Sequence, residues 1–192
     1  MRRFEIASIA PTESCCTPTD AEEGCGCGST AQRSVVACPA CGCHGTTVNT
    51  TTPSSTLRAI HRSSVREEGV YTFCESPNCP VVYYHSDQQQ NPGNTGMLFT
   101  VEQLINRVTV KDDSQKTPLC YCFKVLKGEA LDEIARTGSV DIIALMNRRR
   151  RPGQECFCEI SNPRGDCCTE DIRNWLTAQG LDVDRNEDLC GC

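Results

Sequence analysis

Set cysteine aside and the 192-residue chain has little with which to build an interior. Cysteine supplies 17 of the roughly 73 residues counted as hydrophobic, which leaves about 56 other apolar side chains. Aromatic residues make up 5% of the chain and tryptophan occurs once. This excludes a single large packed domain and fits one or two small domains with thin cores, which usually need covalent or metal staples. No run approaches the ~20 apolar residues of a membrane span, so no membrane insertion is expected. The start, Met-Arg-Arg-Phe-Glu-Ile-Ala-Ser-Ile-Ala, sets a glutamate inside a very short apolar stretch and makes a poor secretory signal. Basic excess is missing as well. The formal net charge is −6; residues 1–33, 34–115 and 183–192 each carry −2, and residues 116–182 balance at zero. No segment has the footprint of a nucleic-acid binder. No nucleophile–base set, phosphate-binding glycine loop or paired-carboxylate site occurs, so a hydrolase or nucleotide enzyme has no support.

What the chain does have is sulfur. The cysteines number an odd 17 and fall into CxC, CxxC and CC pairs, where a disulfide framework would favour spaced singletons. With a poor export signal, that pattern favours metal thiolates in a cytoplasmic protein.

Composition divides the chain into four parts. Residues 1–33, Thr-, Ser-, Glu- and Gly-rich around Cys15-Cys16 and Cys25-Gly26-Cys27, read as a disordered Cys-rich tail. Residues 34–115 are strand-rich. Val70–Phe73 and Val81–Tyr84 predict a hairpin with Cys74 and Cys79 at its turn. The Thr/Ser-rich stretch from Gly45 to Thr56 reads as a loop or edge strand. Leu57, Ile60 and Val65 hint at a short helix within 56–68, Thr100 is a candidate cap for a segment reaching Arg107, and Val108–Val110 is a candidate strand. Residues 116–182 turn helical. One helix is expected over Lys127–Thr137, with Leu131, Ile134 and Ala135 inward and Gly138 closing it. A second, capped by Ser139, carries Val140, Ile143 and Ala144 inward, with Met146 a further candidate, and runs into Arg148–Arg151. A third starts near Thr169, with Ile172, Trp175 and Leu176 on one face, and ends at Gly180. Residues 183–192 form a tail ending in Cys190-Gly-Cys192. The fold class expected is α+β, a small zinc-stapled β-rich module followed by a small helical one.

Cys38-Pro-Ala-Cys41 and the Cys74…Cys79 turn form two close pairs. A turn lets two sulfurs converge on one ion, and two turns supply the four ligands of a closed tetrahedral zinc site. Cys43 or His44 is an alternative ligand beside the first pair. Four thiolates leave no open position, so the zinc is expected to be structural. Such a site contributes about 10 kcal/mol of folding energy, more than this core can supply.

In the second module Cys120-Tyr-Cys122 precedes two helices, and Cys156-Phe-Cys158 and Asn162-Pro163-Arg164-Gly165-Asp166-Cys167-Cys168 follow them. A CxC in extended backbone can point two sulfurs at one iron, and the Asn-Pro-Arg-Gly turn can fold a later cysteine back towards an earlier one. Through CPAC, FCESPNCPVVYY, LCYCFKV and CEISNPRGDCC, residues 34–180 resemble the iron–sulfur and zinc amino-terminal domain of CopZ-type copper chaperones. The second half is similar to bacterioferritin-associated ferredoxin domains. The resemblance implies one zinc in the first module and a 2Fe–2S cluster in the second, with Cys120, Cys122, Cys158 and Cys168 as cluster ligands. Cys167 is the alternative to Cys168. It also implies one-electron redox work in copper or other soft-metal handling, with a redox or copper-transport protein as partner and reduction of Cu(II) to Cu(I) as one form. One departure stands out. None of Met1, Met97 and Met146 is followed two residues later by cysteine, so the family's Met-x-Cys-x-x-Cys copper-transfer motif is not found.

Two rival readings accompany this one. The chain is a thiol-rich metal buffer or resistance protein binding soft ions such as Cu(I) through its Cys-Gly-Cys tails, or an interaction module that its metals only fold. Arg148–Arg151 reads as a solvated helix end, with the alternative that it raises the cluster's potential or docks an acidic partner. Trp175 is expected in the core, and His61 and His85 as surface or structural residues.

Overall fold

The computed structural model describes residues 37–89, 98–184 and 189–190. The amino-terminal tail with Cys15, Cys16, Cys25 and Cys27, and Cys192 at the other end, lie outside the described residues. Residues 35–192 belong to one compact unit.

The first half is an antiparallel meander of four strands, β1 (Thr46–Val48), β2 (Tyr71–Phe73), β3 (Val81–His85) and β4 (Leu98–Thr100), adjacent in chain order. Between β1 and β2 lie two short helices, α1 (Thr51–Thr56) and α2 (Ala59–Arg62). The expected hairpin is present, with Thr72 opposite Tyr84 and Phe73 opposite Tyr83. β3 is buried along its whole length, as its β-branched and aromatic residues favour. Tyr71, Phe73, Tyr83 and Phe99 pack with Leu57, Leu104 and Val108 into one cluster. Each such side chain contributes on the order of 1.5–3 kcal/mol on burial, so a few aromatics carry this thin core. His85 is buried in the fold, its Nε2 donating to the Glu68 carbonyl at 2.7 Å and its Nδ1 accepting from the Asp87 N–H at 3.2 Å.

The 45–56 stretch holds both the expected edge strand, β1, and a helix the sequence did not suggest. Leu57 is buried, but Ile60 is 78% exposed, and the helix beyond Thr56 shrinks to the four residues of α2. Thr100 does cap a helical segment, a 3-10 turn of only three residues, Val101–Gln103, and the Gln103 side chain accepts from its N–H at 2.8 Å. Val108–Val110 is a turn and not a strand. The Thr109 N–H donates to the Tyr121 hydroxyl at 2.9 Å and its carbonyl accepts from Lys127 Nζ at 3.0 Å, so neither group is left for a ladder.

The second half opens with a two-stranded ribbon, β5 (Pro118–Cys120) and β6 (Val125–Leu126), followed by α3 (Lys127–Thr137), α4 (Ile142–Asn147), α5 (Cys158–Ser161) and α6 (Thr169–Ala178). α3 has the expected bounds. Glu129 Oε2 accepts from the Leu126 N–H at 3.0 Å at one end, and Gly138 at φ 80° closes the other, a backbone state that favours glycine. The buried stripe differs from expectation. Lys127 and Ala130 are buried while Ala135 is exposed. The Lys127 ammonium, 1% exposed as a residue, donates to the carbonyls of Thr109 and Asp112 at 3.0 and 2.8 Å and to Asp113 Oδ1 at 3.1 Å. α4 starts later than expected, because Asp141 and not Ser139 accepts the cap hydrogen bond, from the Ala144 N–H at 2.8 Å. Ile142 and Leu145 are therefore buried where Val140, Ile143 and Ala144 were expected, Met146 is buried as the sequence suggested, and the helix ends before the arginine run. In α6, Ile172 and Leu176 are buried as expected and Trp175 is partly buried against the same core. Leu189 and Cys190, assigned by sequence to a tail, are also buried there.

The two halves meet where α1 packs on α5. Thr52 Oγ1 donates to the Glu159 carbonyl at 2.8 Å, Asn49 Nδ2 donates to Glu159 Oε1 at 2.9 Å, and the Tyr83 hydroxyl donates to the Pro163 carbonyl at 2.8 Å. Gly165, at φ 74°, lets the Asn162–Asp166 loop approach α1, since a Cβ there would lie 2.8 Å from Thr52 Oγ1.

Candidate metal centres

Four sulfurs converge at the β2–β3 end of the sheet. Cys74 directly follows β2 and Cys79 lies two residues before β3, while Cys38 and Cys41 sit in a turn closed by a Gly42 N–H to Cys38 carbonyl bond of 2.8 Å and a Cys38 N–H to Cys43 carbonyl bond of 2.9 Å. Cys38 and Cys79 sulfurs are 3.9 Å apart, Cys41 and Cys74 sulfurs 3.7 Å, and all four lie within 4.8 Å of one another. A tetrahedral ion with sulfur bonds of about 2.3 Å needs sulfurs about 3.8 Å apart, so the spacing and donor set fit Zn2+. Neither Cys43 nor His44 is among the four; Cys43 Sγ is turned to the Cys41 carbonyl at 3.9 Å.

Electrostatics around this set is uneven. Burial pushes the Cys38 and Cys74 thiols up. Burial also opposes ionisation of Cys41, but the Cys43 N–H and the neighbouring thiols outweigh it and bring Cys41 down to about 7. Lys111 was not singled out in the sequence. Its ammonium donates to the carbonyls of Ser76 and Cys79 at 2.6 and 3.1 Å, holding the Cys74–Cys79 turn from outside and lowering Cys74 by its charge. Only a lone lysine after a strand-like run could have signalled it.

A second set of sulfurs gathers in the other half, one from each of four places: Cys120 at the end of β5, Cys122 in the turn to β6, Cys158 at the first residue of α5 and Cys168 at the N-cap of α6. They form a ring. Cys122 and Cys158 sulfurs are 3.4 Å apart, Cys120 contacts those of Cys122 and Cys168, and Cys158 contacts that of Cys168. Cys120 and Cys168 are fully buried and Cys122 nearly so. Cys122 accepts from the Phe157 N–H at 3.2 Å and lies 3.3 Å from the Ser161 hydroxyl. Thiol donation from Cys120 and Cys158, outweighing burial, holds Cys122 far below the usual thiol range. Cys167 instead faces the Thr169 hydroxyl at 3.2 Å.

Cys156, which had no assigned role, has its sulfur within 4.8 Å of those of Cys122 and Cys158 and 3.4 Å from that of Cys190. Arg164 lay inside a quoted motif without a role. Its guanidinium joins Glu75, next to Cys74, at 2.7 Å and Asp171, one turn past Cys168, at 2.9 Å. It also lies 5.6 Å from the Phe73 ring centroid.

Residues 35–92 match the family model described as a zinc binding domain, named for CopZ. The chain is 27% identical over 131 residues to the copper chaperone CopZ of Archaeoglobus fulgidus, an alignment covering 68% of this chain and 57% of that protein. The chain thus spans little more than half of that relative's length. Its fold is similar to the X-ray structure of the Archaeoglobus fulgidus CopZ N-terminal domain, at 25% identity and a TM-score of 0.58, covering 77% of this chain and all of that one. The α+β expectation is met, with a fold like that of the CopZ N-terminal domain. No helix among the described residues is long and apolar enough to cross a membrane.

Proposed function

We propose that the chain is a two-centre metalloprotein of the CopZ amino-terminal kind, doing one-electron redox work in the handling of copper or another soft metal. In this reading Cys38, Cys41, Cys74 and Cys79 hold a structural zinc within residues 34–115. Cys120, Cys122, Cys158 and Cys168 hold a 2Fe–2S cluster within residues 116–182. The observation that carries it is the ring of four sulfurs drawn from β5, its turn, α5 and α6, a complete set of four thiolate ligands for such a cluster. Bound there, a 2Fe–2S cluster supplies a single reversible electron, the number that converts one Cu(II) to Cu(I). The protein's own part is to exclude water with Leu119, Phe123 and Ile172, and to aim the Phe157 N–H and Ser161 hydroxyl at Cys122. Hydrogen bonds to a ligand sulfur offset its negative charge and favour the reduced state. The relative's being a copper chaperone supports copper as the metal handled, and a redox or copper-transport protein is the partner this reading calls for.

The test is anaerobic purification with iron, zinc and sulfide counted per chain, and EPR of the reduced protein. Two iron, two sulfide and one zinc, with a one-electron signal on reduction, is the expected result. Two zinc ions and no iron would replace the redox reading with a purely structural one.

A further inference from the structure

Cys122 of the ring lines an open cleft. The cleft has a volume of about 790 Å³, and its other walls are Phe123, Lys124, Arg149, Arg151 and Gln154. Arg149 is paired with Glu129. Lys124 and Arg151 are exposed, and neither has an ion-pair partner among the described residues. Arg148 likewise pairs with Glu133, so the positive charge at the mouth rests on Lys124 and Arg151, in a chain whose net charge is −6. The positive potential at this mouth is therefore local and runs against the sign of the whole molecule.

Lys124 adds a conformational argument. At φ 54° it is the non-glycine residue with positive φ among the described residues. Strained backbone of this kind persists where the surroundings fix it, and it collects at functional positions. Here it sets a cationic side chain in the turn between Cys122 and β6.

Exposed apolar side chains occur in the segment whose backbone meets Cys122. Four large apolar side chains are exposed among the described residues, and two of them, Phe157 and Ile160, belong to α5 and its entry. The Phe157 N–H is the group bonded to Cys122. Cationic side chains beside exposed aromatic and aliphatic ones have the composition of a protein interface, which a small-anion pocket does not need.

We propose that this face, with Lys124 and Arg151 as its charged rim and Phe157 and Ile160 as its apolar shoulder, docks the acidic surface of an electron-transfer protein against Cys122. The proposal rests on the cluster reading for its redox meaning and on charge and shape for the docking itself. Binding of fluorescein-labelled deca-glutamate to the anaerobically purified protein, followed by anisotropy at about 0.01 M ionic strength, separates the two. Deca-glutamate is expected to bind despite the acidic chain, deca-lysine not to bind at this face, and K124E/R151E to weaken deca-glutamate at least tenfold. R151E alone, at an exposed position, gives a smaller loss if the double variant fails to retain metal. Raising ionic strength to about 1 M, where screening acts within about 3 Å, should abolish binding.

Equal binding of deca-glutamate to wild type and variants would overturn the proposal. Displacement of the peptide by inorganic phosphate, beyond that caused by chloride at matched ionic strength, would also overturn it, because the cleft would then be a small-anion site. Oxidation of the reduced protein gives a second readout, in which each chain loses one electron and Fe(III)–EDTA becomes Fe(II)–EDTA. That anion is expected to react faster than hexaamminecobalt(III), a cation, and the order to invert in K124E/R151E. Peptide binding in iron-free material would leave the docking face standing and remove its redox meaning.

Discussion

The two sulfur sets differ in how far apart their members lie in structure before the chain folds. The first is two local pairs, each within a single turn, brought together by one strand pairing. The second takes four cysteines from four elements, and three of those elements are placed only by contacts elsewhere. Turns preorganise the first set, whereas the second depends on α1 meeting α5 and on the Asn162–Asp166 loop lying under Tyr83. Sequence spacing therefore signals the first kind of site well and the second kind poorly.

The sharpest way to break this comparison is to remove a member of each set. C74S is expected to abolish cooperative unfolding of the whole of residues 35–192, as does zinc chelation, because a structural zinc contributes about 10 kcal/mol. C158S should leave the sheet half protected while the helical half loses protection. Hydrogen exchange reads both, and a C158S variant that unfolds the sheet as fully as C74S would refute the asymmetry.

R164M comes next. It strands the Asp171 carboxylate, whose side chain is 4% exposed, and breaking a buried pair from one side costs about 3–5 kcal/mol. A loss of that size in urea unfolding, partly restored in R164M/D171N, is the expected result. Burial raises Asp171 above the ordinary carboxylate range although Arg164 opposes this. K111M touches only the first set: it removes two hydrogen bonds to the Cys74–Cys79 turn, worth about 1–3 kcal/mol together. Competition with a zinc chelator should show weaker zinc retention with iron per chain unchanged.

The smallest effect is expected at Glu129, which Arg149 and the Leu126 N–H hold below its usual range. A lowered folded value means that the stabilisation is present above the unfolded value of about 4.3 and is lost as pH falls through the folded one. E129Q should therefore cost a little stability at pH 7 and nothing at the acid end, read from thermal unfolding across pH.

Much of the fold was legible where side-chain type and local period agree. The β2–β3 hairpin, α3 with Gly138 and α6 before Gly180 all follow from such agreement. What was not legible depended on partners distant in sequence. Val108–Val110 has strand residues, but Tyr121 and Lys127 take the backbone groups of Thr109. The inward stripe of α3 is rotated because Lys127 is drawn to the loop carbonyls. α1, with the sequence Thr-Thr-Pro-Ser-Ser-Thr, has poor helix formers and is held by its packing on α5. At the sites, the convergence of Cys38, Cys41, Cys74 and Cys79 was readable from turn spacing. Lys111 on the Cys79 carbonyl, Arg164 on Glu75, Ser161 on Cys122 and the Cys156–Cys190 approach were not, since each of these contacts spans more than 30 residues.

The segment Lys111-Asp-Asp-Ser has the look of a hinge, a polar run between a strand-rich and a helix-rich region. The Lys127 ammonium fastens it at two points, the Asp112 carbonyl and Asp113 Oδ1, from the start of α3, and Lys111 reaches back from it to the Cys74–Cys79 turn. Swinging one half against the other would strip both ammonium groups of their oxygen partners, and that of Lys127 is buried. The polar stretch is therefore a rivet, and a protease should find it no easier to cut than the strands beside it.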